Sequence, residues 1–254
     1  MDLGLRGKGV VVTGGSRGIG RATCLAFARE GASIALCARA PEALERTAAE
    51  IRALGVGVHA RACDVADAAA LDAFLDGAHR ALGRVDVLVN NASGFGLGDD
   101  EAAWRLALDV DLLASVRASR RVVPWMEAAG GGAIVHVSST LGGLEADAPA
   151  PAAYATLKGA LVAHSKLLAL ALAPKRIRVN CVAPGSIDFP GGIWESVRRA
   201  QPDAYARVLG TIPWGRMGAA EEVANAIVFL ASAPASWITG AVLPVDGGQH
   251  KGNL

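Results

Sequence analysis

The 254 residues are 52% hydrophobic and only 19% charged, which excludes a disordered chain and supplies apolar material for a core covered on both sides. Net charge is +1 and the basic residues are scattered, so the electrostatic footprint of a nucleic-acid or anionic-membrane binder is missing. Small molecules are the expected partners.

Short β-rich runs alternate with longer helical patterns from one end to the other. Strands are expected at KGVVVT, SIALCA, VGVHARA, VDVLVN, AIVHVS, RVNCVA and AVLPVD. Pro41 suits a first helical position with Gly55 just beyond that helix, and Asp67 can cap a helix that Gly83 closes. The strands are mostly apolar on both faces, as in a parallel sheet covered by helices on each side. The expected fold class is therefore α/β: a single-domain, Rossmann-like, doubly wound parallel sheet of about seven strands with helices on both faces. One domain over residues 1–254 is expected, because such folds reach about 250 residues around one sheet. The Pro, Ala and Gly-rich stretch 142–151 has the composition of a loop. Cys24, Cys37, Cys63 and Cys181 lie in apolar patterns without C-x-x-C spacing, as small buried hydrophobes do. The five histidines form no ligand cluster, so no metal is expected. The apolar run near Met1 is too short for a signal peptide, and LLALALA stops at Pro174, which suggests a cytoplasmic protein with no membrane partner.

In such a sheet ligands bind outside the carboxyl ends of the strands. The run TGGSRGIG, residues 13–20, begins at Thr13, where the first strand ends, and places Gly14, Gly18 and Gly20 in the turn to the first helix. Glycine permits positive φ, and without Cβ it lets a pyrophosphate approach backbone N–H groups at a helix N-terminus. No Lys-Ser/Thr pair follows the last glycine, which argues against a P-loop. A tight turn with no ligand is the competing reading.

Together with DV at Asp64-Val65, NNA at residues 90–92, a serine closing the fifth strand, Tyr154-x-x-x-Lys158 and PG at Pro184-Gly185, this turn makes nearly the whole chain resemble the short-chain dehydrogenase/reductase family. The resemblance implies a nicotinamide cofactor, a small carbonyl or alcohol substrate and a homotetramer. It implies cofactor contacts at Thr13, Gly14, Ser16, Arg17, Gly18, Ile19, Gly20, Asp64, Val65, Asn91, Ala92, Tyr154, Lys158, Pro184, Gly185 and Ile187. Asp64 and Val65 would hold the adenine and Asn91 the nicotinamide ribose side. Asp64 as a turn former and Asn91 as a loop residue are the bland alternatives.

An NAD-selective site usually carries a carboxylate near the end of the second strand. Here Ala38 stands in that place, Arg39 follows, and Arg17 lies in the glycine turn. Two guanidinium groups converging on a 2′-phosphate favour NADP(H), unless both are ordinary surface arginines.

Tyr154 and Lys158 share one helix face, where the ammonium favours charge on the phenol oxygen and suits it for proton transfer. The resemblance assigns Ser139, rather than Ser138, to the substrate carbonyl. Tyr154 lies fifteen positions after Ser139, a spacing that suggests an insertion in the intervening loop. Asp111 occupies a position where the family usually has Asn, which kinks its helix and helps hold a water linking the lysine to solvent. A carboxylate there would favour a charged Lys158 if the two approach, and a solvated surface Asp is the alternative. Phe189 stands where the family often clamps the carboxamide through Thr. The segment 189–209 falls at the family's substrate lid, with Phe189, Ile193, Trp194 and Tyr205 offering apolar contact and Phe95 and Leu97 on the opposite wall; packing of these residues, Trp194 above all, against a neighbouring subunit is the alternative. The expected activity is NADP(H)-dependent hydride transfer to or from a small apolar or acyl carbonyl, a 3-oxoacyl thioester included. The alternative is a catalytically impaired cofactor-binding protein with an interaction or regulatory role.

Overall fold

The computed structural model describes residues 2–144 and 151–252. Of the stretch 142–151 expected as a loop, residues 145–150 lie outside the described residues. The first half alternates strictly: β1 (Gly9–Thr13), α1 (Gly18–Arg29), β2 (Ser33–Ala38), α2 (Pro41–Ala53), β3 (Val58–Ala62), α3 (Ala68–Leu82) and β4 (Val87–Asn90). Next comes one continuous rod made of α4 (Glu101–Leu106), a π-helical segment (Ala107–Leu113) and α5 (Ala114–Ala128). β5 (Gly132–Val137), a single turn α6 (Thr140–Gly143), α7 (Ala152–Leu172), β6 (Ile177–Pro184), α8 (Ile193–Ala200), α9 (Pro202–Leu209), α10 (Ala220–Ala231) and β7 (Val242–Val245) complete the chain.

The seven strands form one parallel sheet in the order β3-β2-β1-β4-β5-β6-β7. After β3 the chain crosses back over β1, so the connections leaving β1 and β4 diverge and open a crevice at their carboxyl ends. Alternate residues of the central strands feed two cores. Val10 and Val12 join Phe27 of α1 and Ile227 of α10 on one face, and Val11 and Leu88 join Phe74 of α3 and Val122 of α5 on the other. Burial of each such large side chain contributes about 1.5–3 kcal/mol, which fixes the strand ends that carry the site.

Helix boundaries follow local chemistry. Pro41 takes the first position of α2, the Asp67 carboxylate accepts hydrogen bonds from the amides of Ala69 and Ala70 at the start of α3, and Gly83 ends α3 with φ 72°. β3 departs from the expected two-sided burial: its residues are half-buried or exposed because it is an edge strand. All four cysteines are buried and free, and no metal-binding cluster exists among the described residues. The stretch Ala152–Lys175 is long and apolar enough to cross a membrane. In this fold α7 instead buries Leu157, Leu161, Ala169 and Leu172 against the protein and carries Lys158 on the same face.

Candidate active site

The glycine turn is shaped by the β4 loop that crosses it. Asn91 donates from its side-chain amide to the carbonyls of Thr13 (2.9 Å) and Gly14 (3.1 Å), while the Thr13 hydroxyl oxygen accepts from the amides of Asn91 and Ala92. A Cβ on Gly20 would lie 2.1 Å from the Gly14 carbonyl oxygen, and Gly14 itself has φ 70°. Neither position tolerates a side chain. Arg17, the N-cap of α1, makes no side-chain capping bond, so the first-turn amides of this 12-residue helix are left for another acceptor. The residues present therefore fit the pyrophosphate of a dinucleotide.

Around this cradle, Ser16 uses its carbonyl to accept from the Thr47 hydroxyl, and Ile19 packs into the core beneath. Asp64 is exposed and one carboxylate oxygen accepts from the Ala66 amide, the turn-forming contact, while Val65 is buried. Pro184 ends β6 beside Val245, Gly185 sits so close to Asp246 that a Cβ would come within 2.7 Å, and Ile187 bridges to Gly218. Arg17 donates to the Gly191 carbonyl (3.0 Å), and Arg39, exposed after Ala38, makes no hydrogen bond or ion pair among the described residues. The Phe189 ring lies over Gly18, where a Cβ would meet it at 2.5 Å. The segment 189–209 contains α8 and α9, braced by the Trp194–Tyr205 ring contact and the Arg198–Asp188 ion pair.

Across the crevice, the two serines at the end of β5 part ways. Ser138 is buried and donates to the Lys158 carbonyl (2.8 Å), pinning α7 to the sheet, whereas among the described residues the Ser139 hydroxyl oxygen accepts from the Leu141 amide alone. Tyr154 is half-buried in the first turn of α7, its ring 5.5 Å from the Lys158 ammonium and stacked 5.7 Å from Phe95.

Lys158 is 2% exposed; its ammonium donates to the Val137 carbonyl (3.0 Å) and pairs with Asp111 Oδ1 at 3.1 Å. Asp111 is 1% exposed, inside the π-helical segment, which overturns the surface alternative. Its second oxygen accepts from the Gly94 amide (3.1 Å). Burial pushes Lys158 toward losing its proton, but the Asp111 carboxylate and the Tyr154 oxygen outweigh burial and hold the group protonated above the usual lysine range. Sequence reasoning did not foresee the Asp111–Gly94 link; the only signal was the pair of glycines flanking Phe95.

Residues 14–250 match the family described as enoyl-(acyl carrier protein) reductase. Isoepoxydon dehydrogenase of Penicillium expansum is 35% identical, over 99% of this chain and 98% of its own. The chain belongs to the short-chain dehydrogenase/reductase family. Among solved structures, L-sorbose reductase of Gluconobacter frateurii, complexed with NADPH and L-sorbose, superposes with a TM-score of 0.90 at 35% identity over all of both chains. A 7α-hydroxysteroid dehydrogenase complexed with NADH superposes with a TM-score of 0.90 at 33% identity, over 97% of this chain and 96% of its own. This chain is accordingly an oxidoreductase of a family that binds nicotinamide cofactors.

Proposed function

We propose that the protein is an NADP(H)-dependent carbonyl reductase or alcohol dehydrogenase acting on a small apolar or acyl substrate, working as a cytoplasmic homotetramer. The observation that carries the catalytic reading is the buried Lys158 ammonium, held by Val137 and Asp111 one helical turn from Tyr154. The bound nicotinamide supplies or accepts hydride at the carbonyl carbon. Tyr154 donates the proton to the carbonyl oxygen in reduction and takes it back in oxidation. Ser139 holds that oxygen with its hydroxyl, and Lys158 stabilises the charge left on Tyr154. Lys158 also binds the nicotinamide ribose.

The cradle residues divide the cofactor among them. Thr13, Gly14, Ser16, Arg17, Gly18, Ile19 and Gly20 take the pyrophosphate side, and Asp64 and Val65 take the adenine. Asn91, Ala92, Pro184, Gly185 and Ile187 take the nicotinamide side. Because one relative is solved with NADPH and another with NADH, family membership does not choose between the two. Ala38 and Arg39 support NADP(H), since no carboxylate at the end of β2 repels a 2′-phosphate. Four free buried cysteines suit a reducing compartment. The segment 189–209 serves as the substrate lid, already touching the cradle through Phe189 and Arg17.

The test is purified protein with NADPH and a panel of ketones, alongside Tyr154→Phe. Turnover should fall by about 10²–10⁴-fold in the variant while NADPH still binds. NADPH binding by the wild type without oxidation across the panel would overturn the reading in favour of a non-catalytic binding protein.

A further inference from the structure

Phe95 carries a backbone conformation that its side chain disfavours. Its φ is 50°, and Arg176 (56°) is the one other described non-glycine residue with a positive φ. A bulky residue in the left-handed region is strained, and such strain persists only where the surroundings hold it. Two contacts do so on successive amides: Asp111 Oδ2 accepts from Gly94 N–H (3.1 Å), and Ser93 Oγ accepts from Phe95 N–H (3.3 Å). The loop also packs tightly on the following helix, where a Cβ on Gly96 would lie 2.5 Å from the Ala103 carbonyl oxygen.

The result of this hold is an aromatic face fixed beside the phenol. The Phe95 ring lies 11° from parallel with Tyr154 at 5.7 Å, and the residue remains 41% exposed. Neither covering the core nor capping a helix explains it. We propose that Phe95 is a specificity-determining residue that selects carbonyl compounds bearing a flat aromatic or unsaturated group next to the carbonyl. With the carbonyl oxygen at Tyr154 and Ser139, that group comes against the Phe95 ring, where offset stacking favours a π-system over a saturated ring of equal carbon count. The inference rests on Tyr154 being the proton donor, and Asp111 and Ser93 act in it as positioning residues for the loop.

Acetophenone and cyclohexyl methyl ketone, compared by kcat/KM with NADPH, test it. Phe95→Ala should lower the acetophenone-to-cyclohexyl ratio about 2- to 12-fold relative to wild type, mainly through KM. Phe95→Leu, which keeps bulk without an aromatic face, should lose the same preference, and Ser93→Gly, which frees the Phe95 amide, should lose part of it. An unchanged ratio in Phe95→Ala, or a ratio restored in Phe95→Leu, overturns the proposal. If no ketone is reduced, the catalytic reading fails separately, and calorimetric binding of 1-phenylethanol against 1-cyclohexylethanol to the NADP⁺-loaded proteins decides. Loss of the aryl preference in Phe95→Ala and Phe95→Leu would support Phe95, and equal preference in all proteins would overturn it.

Discussion

Two groups converge on the Asp111 carboxylate from different parts of the fold, the Lys158 ammonium as an ion pair at one oxygen and the Gly94 amide as a hydrogen-bond donor to the other. A carboxylate accepts at both oxygens, whereas an asparagine amide has one acceptor and would turn its own N–H₂ toward one of the donors. Asp111→Asn also removes the charge that keeps Lys158 protonated against burial. The lysine's folded-state pKa is raised, so the pair's stabilisation is full at neutral pH and is lost only as pH rises through that raised value. Without Asp111 the ammonium is lost sooner, and the alkaline limb of kcat/KM should move to lower pH. Superimposable profiles for the two proteins would show that Asp111 has no hold on the reaction. Cofactor choice is a second matter of single residues. Ala38→Asp with Arg39→Ala places a carboxylate for the ribose 2′-hydroxyl and removes a phosphate partner, and the NADH-to-NADPH ratio of kcat/KM should rise about tenfold or more. Equal selectivity before and after would place the 2′-phosphate elsewhere.

Helices α1 and α3 meet their N-terminal amides in opposite ways. α3 fills its own first turn with Asp67, while α1 leaves its amides without a side-chain cap at the mouth of the crevice. Asp67→Ala should therefore behave as a lost cap alone, costing about 1 kcal/mol of stability, with kcat unchanged; thermal unfolding and a turnover assay on one preparation check both. The caps, the seven strands and their parallel direction were legible in the sequence, because Pro41, Asp67, Gly83 and the β-branched runs act through contacts within a few residues; the strand order was not. Exposure along β3 was not, since nothing within a strand says that it stands at an edge. The π-helical segment at Ala107–Leu113 was expected only as a bend at Asp111, through family likeness, because one widened turn leaves no hydrophobic period to detect. Tyr154 and Lys158 could be paired by their spacing, but the bond from Arg17 to Gly191 spans 174 residues and needed the fold.

Over the described surface, large apolar side chains stand uncovered: Leu167 and Leu170 of α7 are 69% and 67% exposed, Trp214 is 70% exposed and Trp237 is 97% exposed. Uncovered apolar side chains of this size are what subunit contacts bury. Light scattering at micromolar protein should give about four times the 25.8 kDa chain, and Leu167→Glu with Leu170→Glu should lower that mass. A monomeric wild type would sink the assignment. α7 turns Lys158 inward and Leu167 and Leu170 outward along one uninterrupted helix. Loss of the outer contact would thus loosen the rod that positions the inner one. In an assay diluted far below the concentration at which subunits separate, each chain should then turn over more slowly and fade with time, and pre-incubation with NADPH should delay the decay by mass action.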